Sequence, residues 1–239
     1  MEVHHHSHTA RKKWTHYFWE FLMLFLAVFC GFLAEYQLEH KIEKERGMQY
    51  IRSFYEDLKT DTAEFSFLIK AYEIKLSVFS NRNTCFNSLS TNAPVTNTCI
   101  RELINHSNSF PDMVTADQTL MQLKNAGGLR LLKKADADSI LAYDKLVRIF
   151  TKSETTSFQE SQNRMRESNK SILSYRSPGE KDEQNFPFLI SGDKDKLNRF
   201  FVGLNEYSAL CNDQHHHLLG LNQLALNLLS YLKNKYKLN

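Results

Sequence analysis

WTHYFWEFLMLFLAVFCGFLAEYQL, residues 14–38, is the stretch that decides the fold of this chain. Its central fourteen residues, 21–34, carry no charge. A helix over the whole stretch, at about 1.5 Å per residue, is long enough to cross a hydrocarbon core of about 30 Å. Four aromatic residues stand near its ends, where such side chains favour the membrane interface: Trp14, Tyr17, Trp19 and Tyr36. The stretch is therefore predicted to be a transmembrane helix.

This predicted helix has two faces of different composition. At roughly 100° per residue, one side carries small, apolar and ionisable residues, namely His16, Glu20, Leu24, Ala27, Gly31, Ala34 and Leu38. The opposite side carries the aromatic residues Trp14, Phe18, Phe21, Phe25, Phe29, Phe32 and Tyr36. Small residues let membrane helices approach closely, and ionisable groups within a span tend to face protein. We therefore predict that the first side, called the packing face below, contacts protein and that the aromatic side faces lipid.

Glu20 is the acidic residue of the packing face, and the sequence leaves three interpretations open. Beside Trp19, its carboxylate can lie at the level of the lipid headgroups. With His16 one turn earlier, it can instead form an i, i+4 pair within a partner-facing surface. Proton conduction is the third interpretation, although the sequence shows no relay that would support it.

A cleaved signal peptide is the alternative to a retained span, because Arg11, Lys12 and Lys13 precede the apolar run. No small-x-small cleavage site followed by a polar mature terminus is evident in the sequence. Bulky Phe29 before Cys30 also does not fit a lipoprotein site. The prediction is therefore a retained anchor.

The orientation of the span is not decided by its flanking charges. Three basic residues precede the span, and Lys41, Lys44, Arg46 and Arg52 follow it. Cys85 and Cys99 bracket a Ser/Thr/Asn-rich loop that a disulfide could close in an oxidising compartment, while unpaired thiols in a reducing cytoplasm are the alternative. We predict a bacterial inner-membrane protein with a cytoplasmic N-terminus and a periplasmic large domain.

The remaining sequence has the pattern of long amphipathic helices. Hydrophobic residues recur at three- and four-residue steps in intervals free of proline, and they predict three buried helix faces. The first face is Met48, Ile51, Tyr55, Leu58, Thr62, Phe65, Ile69, Tyr72, Leu76 and Phe79; the second is Ile140, Tyr143, Val147, Phe150, Phe158, Met165 and Ile172; the third is Leu197, Phe200, Leu204, Tyr207, Cys211, Leu218, Leu221, Ala225, Leu228 and Leu232. Ser177, Pro178 and Gly179 are predicted to end the second helix, and its polar middle is expected to fray.

We predict a short polar tail (1–13), a transmembrane helix (14–38) and a helical extramembrane domain (39–239). Within that domain, long helices are expected at about 39–80, 136–176 and 193–237, with short helices and loops at about 81–135. Thr115 is the predicted N-cap of a helix over 116–125.

The predicted fold class is all-α: one N-terminal transmembrane helix that continues into an extramembrane antiparallel bundle of long helices. The chain has 239 residues and a formal net charge of +3, and its charges are interspersed. That length accommodates one span and about one ordinary domain. A nucleic-acid partner is not expected, because no dense basic block or binding motif occurs.

No catalytic or metal-binding motif stands out. HExxH, CxxC and nucleophile-elbow patterns are missing, so we expect no enzyme, no metal site and no cofactor. The stretch QLKNAGGLRLLKK (122–134) places four basic residues around a double glycine and could form an anion-binding turn. It lacks phosphate-loop spacing, and a helix end followed by a solvated turn is the simpler interpretation.

Two regions of the chain resemble a family of single-pass inner-membrane proteins of unknown function from Bacteroidota. They are KKWTHYFWEFLMLFLAVFCGFLAEYQLEHKIEKER (12–46) and QYIRSFYEDLKTDT (49–62), and QLKNAGGLRLL (122–132) is also similar. The resemblance implies a membrane anchor and a helical extramembrane domain. It implies no activity, so no catalytic residue is transferred.

From these observations we expect a membrane-anchored helical scaffold or accessory subunit of a bacterial envelope complex. Its expected partners are the lipid bilayer and either a second copy of the chain or another membrane protein. The alternative is a periplasmic sensor that signals through a separate partner. A proton-coupled or channel-forming assembly is the third possibility and depends on Glu20.

Overall fold

The computed structural model describes residues 14–90, 97–108, 112–174, 188–189 and 193–238. The predicted tail (1–13) and the predicted helix stop at residues 177–179 lie outside the described residues. The helices are α1 (Trp14–Ser80), α2 (Arg82–Ser90), α3 (Asn97–Asn108), α4 (Gln118–Asn125), α5 (Lys134–Ser153), α6 (Gln159–Ile172) and α7 (Lys194–Tyr236). A 3-10 turn (Gly128–Leu131) precedes α5, and a π-helical turn (Glu154–Phe158) joins α5 to α6. The predicted all-α class is confirmed.

The chain divides into two compact parts, residues up to 49 and residues from 50 onward. In the first part, every described residue from 14 to 46 is exposed except Leu22, which is half-buried. An 18-residue window of α1 has a mean hydropathy of 2.0, and none of it is buried. One helix near the N-terminus is thus long and apolar enough to cross a membrane.

The second part is a bundle of four columns in up-down-up-down order. Residues 50–80 of α1 form the first column, and α5 and α6 together form the third. The backbone N–H groups of Ala116 and Thr119 donate to Asp61 and Asp57 of α1, in that order, so the second column descends beside the first as α3, an extended segment (112–117) and α4. The fourth column, α7, is antiparallel to α1. The sequence predicted loops and short helices at 81–135, and the structure shows that they complete an antiparallel bundle.

The core follows the predicted helical periodicity. Its largest fully buried side chains are Phe54, Phe65, Tyr72, Phe79, Phe200 and Tyr207. Burying side chains of this size is worth about 1.5–3 kcal/mol each before the loss of chain entropy is counted. The seam predicted for α7, from Leu197 to Leu232, is buried along the bundle.

The predicted N-cap at Thr115 is wrong. Helix α4 begins at Gln118, and Asp117 precedes it without a side-chain capping bond. Carboxylates of α1 supply acceptors instead: the Ala116 N–H donates to Asp61 Oδ1 at 2.7 Å, and the Thr119 N–H donates to Asp57 Oδ2 at 3.3 Å. Tertiary contacts therefore replace the local cap.

The third column is helical over nearly the predicted range, but it is not a plain α-helix. The turn Glu154–Phe158 has π-helical geometry, where local fraying was expected from the polar sequence. After α6, residues Leu173–Ser174 pair antiparallel with Phe188–Leu189. This two-residue pair is the β-structure of the described chain.

A buried carboxylate fastens the third column to the end of the fourth. Asp136 has no exposed surface and accepts hydrogen bonds from Tyr231 Oη at 2.8 Å, Lys235 Nζ at 2.5 Å and Tyr236 Oη. Burial alone would raise the pKa of Asp136, but the bonds from Lys235, Tyr236 and Tyr231 outweigh it and hold the pKa below its ordinary value.

We expect Asp136→Asn to lower the free energy of unfolding at pH 7 by about 1–3 kcal/mol. Because the folded pKa lies below the unfolded value of about 3.9, the stabilisation is complete above that pH and is lost as pH falls through the folded pKa. Urea titration in nonionic detergent, followed by circular dichroism at neutral and acidic pH, measures both effects. Exposed Asp138, on the same helix, provides the control Asp138→Asn. Equal stability of the two variants would contradict this role of Asp136.

Candidate functional site

The packing face and the aromatic face are both exposed in α1. His16 Nε2 lies 3.1 Å from Glu20 Oε1, so these side chains are within the range of the predicted i, i+4 pair. On the other side, the rings of Phe21, Phe25 and Phe29 stack in succession, with centroids 6.3 and 5.8 Å apart. A Cβ atom added at Gly31 would meet no atom within 4 Å. At Gly31, the packing face therefore has no contact with the rest of the described chain.

At the far end of the second part, Cys85 and Cys99 are joined as a disulfide with their Cα atoms 6.0 Å apart. This bond connects α2 to α3, where the chain turns from the first column into the second. Closing a loop of about 15 residues restricts the unfolded chain and stabilises the fold by about 3 kcal/mol in the chain-entropy model. Cys30 and Cys211 carry free thiols, exposed and buried respectively.

A cleft of about 350 Å³ opens between the first three columns. Most of its exposed surface is apolar, and three aspartates, three threonines and two basic residues also line it. The lining residues are Phe54, Asp61, Thr115, Ala116, Asp117, Leu120, Tyr143, Asp144, Val147, Arg148, Thr151, Lys152 and Thr155. A concave apolar surface with a few convergent polar groups is typical of small-molecule sites.

Asp61 is the buried carboxylate of this cleft. Tyr143 Oη donates to its Oδ2 at 2.5 Å, and the Ala116 N–H donates to its Oδ1. Burial raises the pKa of Asp61 despite both hydrogen bonds, and burial together with the Asp61 charge raises the pKa of Tyr143. The pair joins the first column to the third. The Asp61 carboxylate also holds the extended segment (112–117) of the second column through the Ala116 N–H.

Asp144 is a second buried carboxylate in the cleft wall. Its Oδ2 lies 2.5 Å from Lys124 Nζ and 2.8 Å from Arg148 Nη2. Arg148 is largely exposed, so its guanidinium is also accessible at the cleft mouth. The cleft thus combines an apolar floor, a buried carboxylate and exposed cations at its rim.

A second polar cluster lies in the bundle interior around Lys75. The Lys75 ammonium is buried and donates to Tyr207 Oη at 3.0 Å. Burial lowers the pKa of Lys75 to about 8. Burial likewise raises the pKa of Cys211 to about 12, although Lys75 and a hydrogen bond with Tyr207 oppose that rise. This thiol is therefore held in its protonated form at neutral pH.

Glu154 opens the π-helical turn beside this cluster. Its carboxyl group is buried, and burial raises its pKa to about 7 although the backbone of Met113 is hydrogen-bonded to it. Perturbed groups of this kind occur both at functional sites and in structural networks. Single π-helical turns are also frequent at functional sites.

The remaining sequence candidates do not converge. Among the described residues, no three His, Cys, Asp or Glu side chains are placed to hold a metal ion. His215 Nε2 is 3.9 Å from Glu73 Oε1, and Cys211 packs in the core. The double glycine of 122–134 ends α4: Gly127 adopts φ +67°, and Gly128 is buried against Tyr50 and Leu123.

No protein-family model, curated protein or solved structure matches this chain.

Sequence reasoning missed the buried charges of α1. The predicted stripe contained Thr62 and Leu76, whereas the structure also buries their neighbours Asp61 and Lys75. The available signal was a charged residue adjacent to the core position of a helix whose other core positions are apolar. Tyr143 and Tyr207 were assigned to the core as apolar residues, and their hydroxyls prove to be the partners of those charges.

Lys75→Met should remove a characteristic pH dependence of stability. Unfolded Lys75 keeps its proton up to a pKa of about 10.5, whereas the folded side chain loses it at a pKa of about 8. The unfolded state therefore binds more protons between these values, and wild-type stability rises with pH there. From pH 7.5 to 9.5 we expect the free energy of unfolding of the wild type to rise by about 2 kcal/mol relative to that of Lys75→Met.

The measurement is a series of urea titrations across that pH range. The raised pKa of Cys211 makes stability fall as pH rises above about 9. Because Cys211 is present in both proteins, its contribution largely cancels in the difference between their free energies of unfolding. Lys70→Met, at an exposed position of α1, should follow the wild-type profile. If the stability of wild type and of Lys75→Met changed with pH in parallel, the lowered pKa of Lys75 would be refuted.

Proposed function

We propose that this protein is a membrane-anchored helical scaffold or accessory subunit that self-associates through the packing face of α1. The observation that carries the proposal is the uncovered surface of residues 14–38: an apolar helix with one small-residue side and one aromatic side. Water would penalise this surface by roughly 25 cal/mol per Å², and a bilayer removes the penalty. A second copy seated on the packing face would leave the aromatic side to lipid.

We propose that the span belongs to a bacterial inner membrane, with the N-terminus cytoplasmic and the bundle periplasmic. The Cys85–Cys99 disulfide supports an oxidising compartment for the bundle. A retained anchor is proposed instead of a signal sequence because no small-x-small cleavage site followed by a polar mature terminus is evident. The resemblance to single-pass proteins of Bacteroidota is consistent with this assignment.

Gly31→Leu should lower the mass of the detergent-extracted complex. Nothing described in this chain lies within 4 Å of a Cβ atom at residue 31, so the substitution leaves the packing of the chain itself intact. A bulky side chain would separate helices that approach closely at glycine. Light scattering coupled to size exclusion measures the mass, corrected for detergent. We expect the wild type to be oligomeric and Gly31→Leu to shift toward the monomer.

Phe25→Leu is the matched control, since it changes an exposed side chain on the aromatic face. It should keep the wild-type mass. A wild-type monomer, or an unchanged mass for Gly31→Leu, would count against self-association. Recovery of a stoichiometric foreign subunit from native membranes would assign the packing face to that subunit and leave the accessory role standing.

A second candidate function, a ligand sensor, is favoured by the cleft around Asp61. A ligand there would touch three columns at once, because the lining comes from α1, the 112–117 segment with α4, and α5. Differential binding could then shift their packing and be transmitted to a separate partner.

A sensor should be stabilised thermally by some member of a broad small-metabolite library. A ligand at 100 times its dissociation constant adds about 2.7 kcal/mol to the free energy of unfolding. Thr151→Trp should fill the cleft and abolish the shift, whereas Ile149→Trp, at an exposed position of the same helix, should retain it. A shift that survives Thr151→Trp would place the ligand elsewhere, and no shift across the library would remove this candidate.

A further inference from the structure

One end of the bundle gathers four chain segments. The 3-10 turn lies against the start of the first column, since a Cβ atom at Gly128 would be 3.1 Å from Tyr50 Cε2. The Asp136 network fastens the beginning of α5 to the end of α7. A surface cleft of about 300 Å³ joins Arg52 of α1 to Tyr236 and Lys237. The opposite end holds the disulfide and the start of α7.

This end is rich in exposed cations. Six of them define what we call the basic end: Arg52, Arg130, Lys133, Lys134, Lys233 and Lys237. Among the described residues, none of the six forms an ion pair with a carboxylate, whereas Lys59 and Lys235 nearby do. Asp136 is buried and bonded to Lys235, and Glu56 lies 2.9 Å from Lys59. Exposed Asp138 lies one turn after Lys134 and offsets part of this charge, but the six cations leave this end of the bundle positive.

The concentration of positive charge is not visible in the sequence totals. The chain carries only +3 overall, and the six residues come from three separated stretches of sequence. Folding brings these stretches to one end. Clusters of four to eight Lys and Arg immediately cytoplasmic of a membrane helix are a signature of anionic-lipid binding, and the same electrostatic attraction acts at any leaflet that carries anionic phosphodiesters.

The apolar stretch and the first residue of the basic end are close in sequence. Residues 39–51 lie between Leu38 and Arg52. This short connection tethers the basic end to any membrane that holds residues 14–38. Attraction to a charged bilayer surface then acts over about one Debye length, roughly 8 Å at physiological salt.

The connecting residues do not supply the attraction themselves. Lys41, Lys44 and Arg46 are balanced by Glu39, Glu43 and Glu45. An anionic surface would therefore act mainly on the basic end of the folded bundle. Because the six cations of the basic end belong to several chain segments, they can contact several headgroup phosphates at once, whereas one dissolved anion could contact only a few of them.

We propose that the basic end docks onto anionic phospholipid headgroups of the bilayer that holds α1. Ammonium and guanidinium groups bind the headgroup phosphates, and the bundle is drawn down toward the membrane surface. The proposal rests on the membrane anchor proposed above. It adds a lipid class, anionic phosphodiester, and the surface of the bundle that binds it, the basic end.

The test uses the full chain in nonionic micelles, titrated with short-chain phosphatidylglycerol or phosphatidylcholine and followed by native mass spectrometry. We expect phosphatidylglycerol to bind at least about fivefold more tightly, the factor expected for even one effective cation at an anionic surface. Salt at about 0.5 M should remove most of that preference, because it shortens the Debye length to a few ångströms.

The decisive variant replaces Lys133, Lys134 and Lys237 with glutamine, and circular dichroism checks that it folds. It should reduce the preference for phosphatidylglycerol by at least about fivefold relative to the wild type, the factor expected for one effective cation. The matched control replaces Lys194, Lys196 and Arg199 with glutamine, three exposed cations at the opposite end of the bundle. The control should keep the full preference, so a similar loss in both triple variants would overturn the proposal.

Two further arms separate the sources of failure. Inorganic phosphate that abolishes phosphatidylglycerol binding at equal concentration would show a soluble-anion site and overturn lipid docking. Carbonate extraction of membranes tests the anchor independently, because release of the wild-type chain would refute the membrane span. The lipid preference is measured separately, in micelles. Retention of the chain without any lipid preference would refute docking alone.

Discussion

The requirement that apolar helix surface be covered governs this molecule. In the second part of the chain, the columns cover one another, and the buried side of α1 from Ile51 to Phe79 faces that core. In the first part, residues 14–46 of the same helix receive no comparable cover from the described chain. A single helix thus serves two environments, and the change from one to the other takes place within a few residues around Tyr50.

Inside the bundle, tyrosine hydroxyls bond to the buried charges of the first and third columns. Tyr143 donates to Asp61, Tyr207 accepts from Lys75, and Tyr231 and Tyr236 donate to Asp136. Each tyrosine contributes an aromatic ring to the core and a polar group at its edge. Because each pairing joins different columns at one height, these bonds disfavour a sliding of the columns that apolar packing alone would tolerate.

The periodicity of apolar residues was sufficient to predict the long helices, and for α1 and α7 the buried faces agree with that pattern. The second column was not predicted as such, because its two short helices are separated by an extended segment whose N–H groups depend on Asp57 and Asp61. Those acceptors lie more than fifty positions earlier in the chain, and local capping rules cannot identify them. The basic end escaped prediction for a related reason: its residues become neighbours only after folding.

The cleft illustrates the same limit. Tyr143 and Val147 were predicted core residues, yet they line a cleft beside the stretch where the second column is extended at 112–117. The position of this cleft could be found only once the column was assembled. The packing face, by contrast, lies on one helix, so its residues were grouped from their spacing alone, and their contact with a partner stays a prediction.

The π-helical turn of Glu154–Phe158 keeps the third column in phase with the core. Core residues Phe150 and Phe158 are eight positions apart, one more than a heptad. A wide turn accommodates one surplus residue without rotating the helix that follows, so Met165 and Ile172 still reach the core. Without that turn, the surplus residue would rotate the whole of α6 by about 100° and carry its buried side away from the bundle.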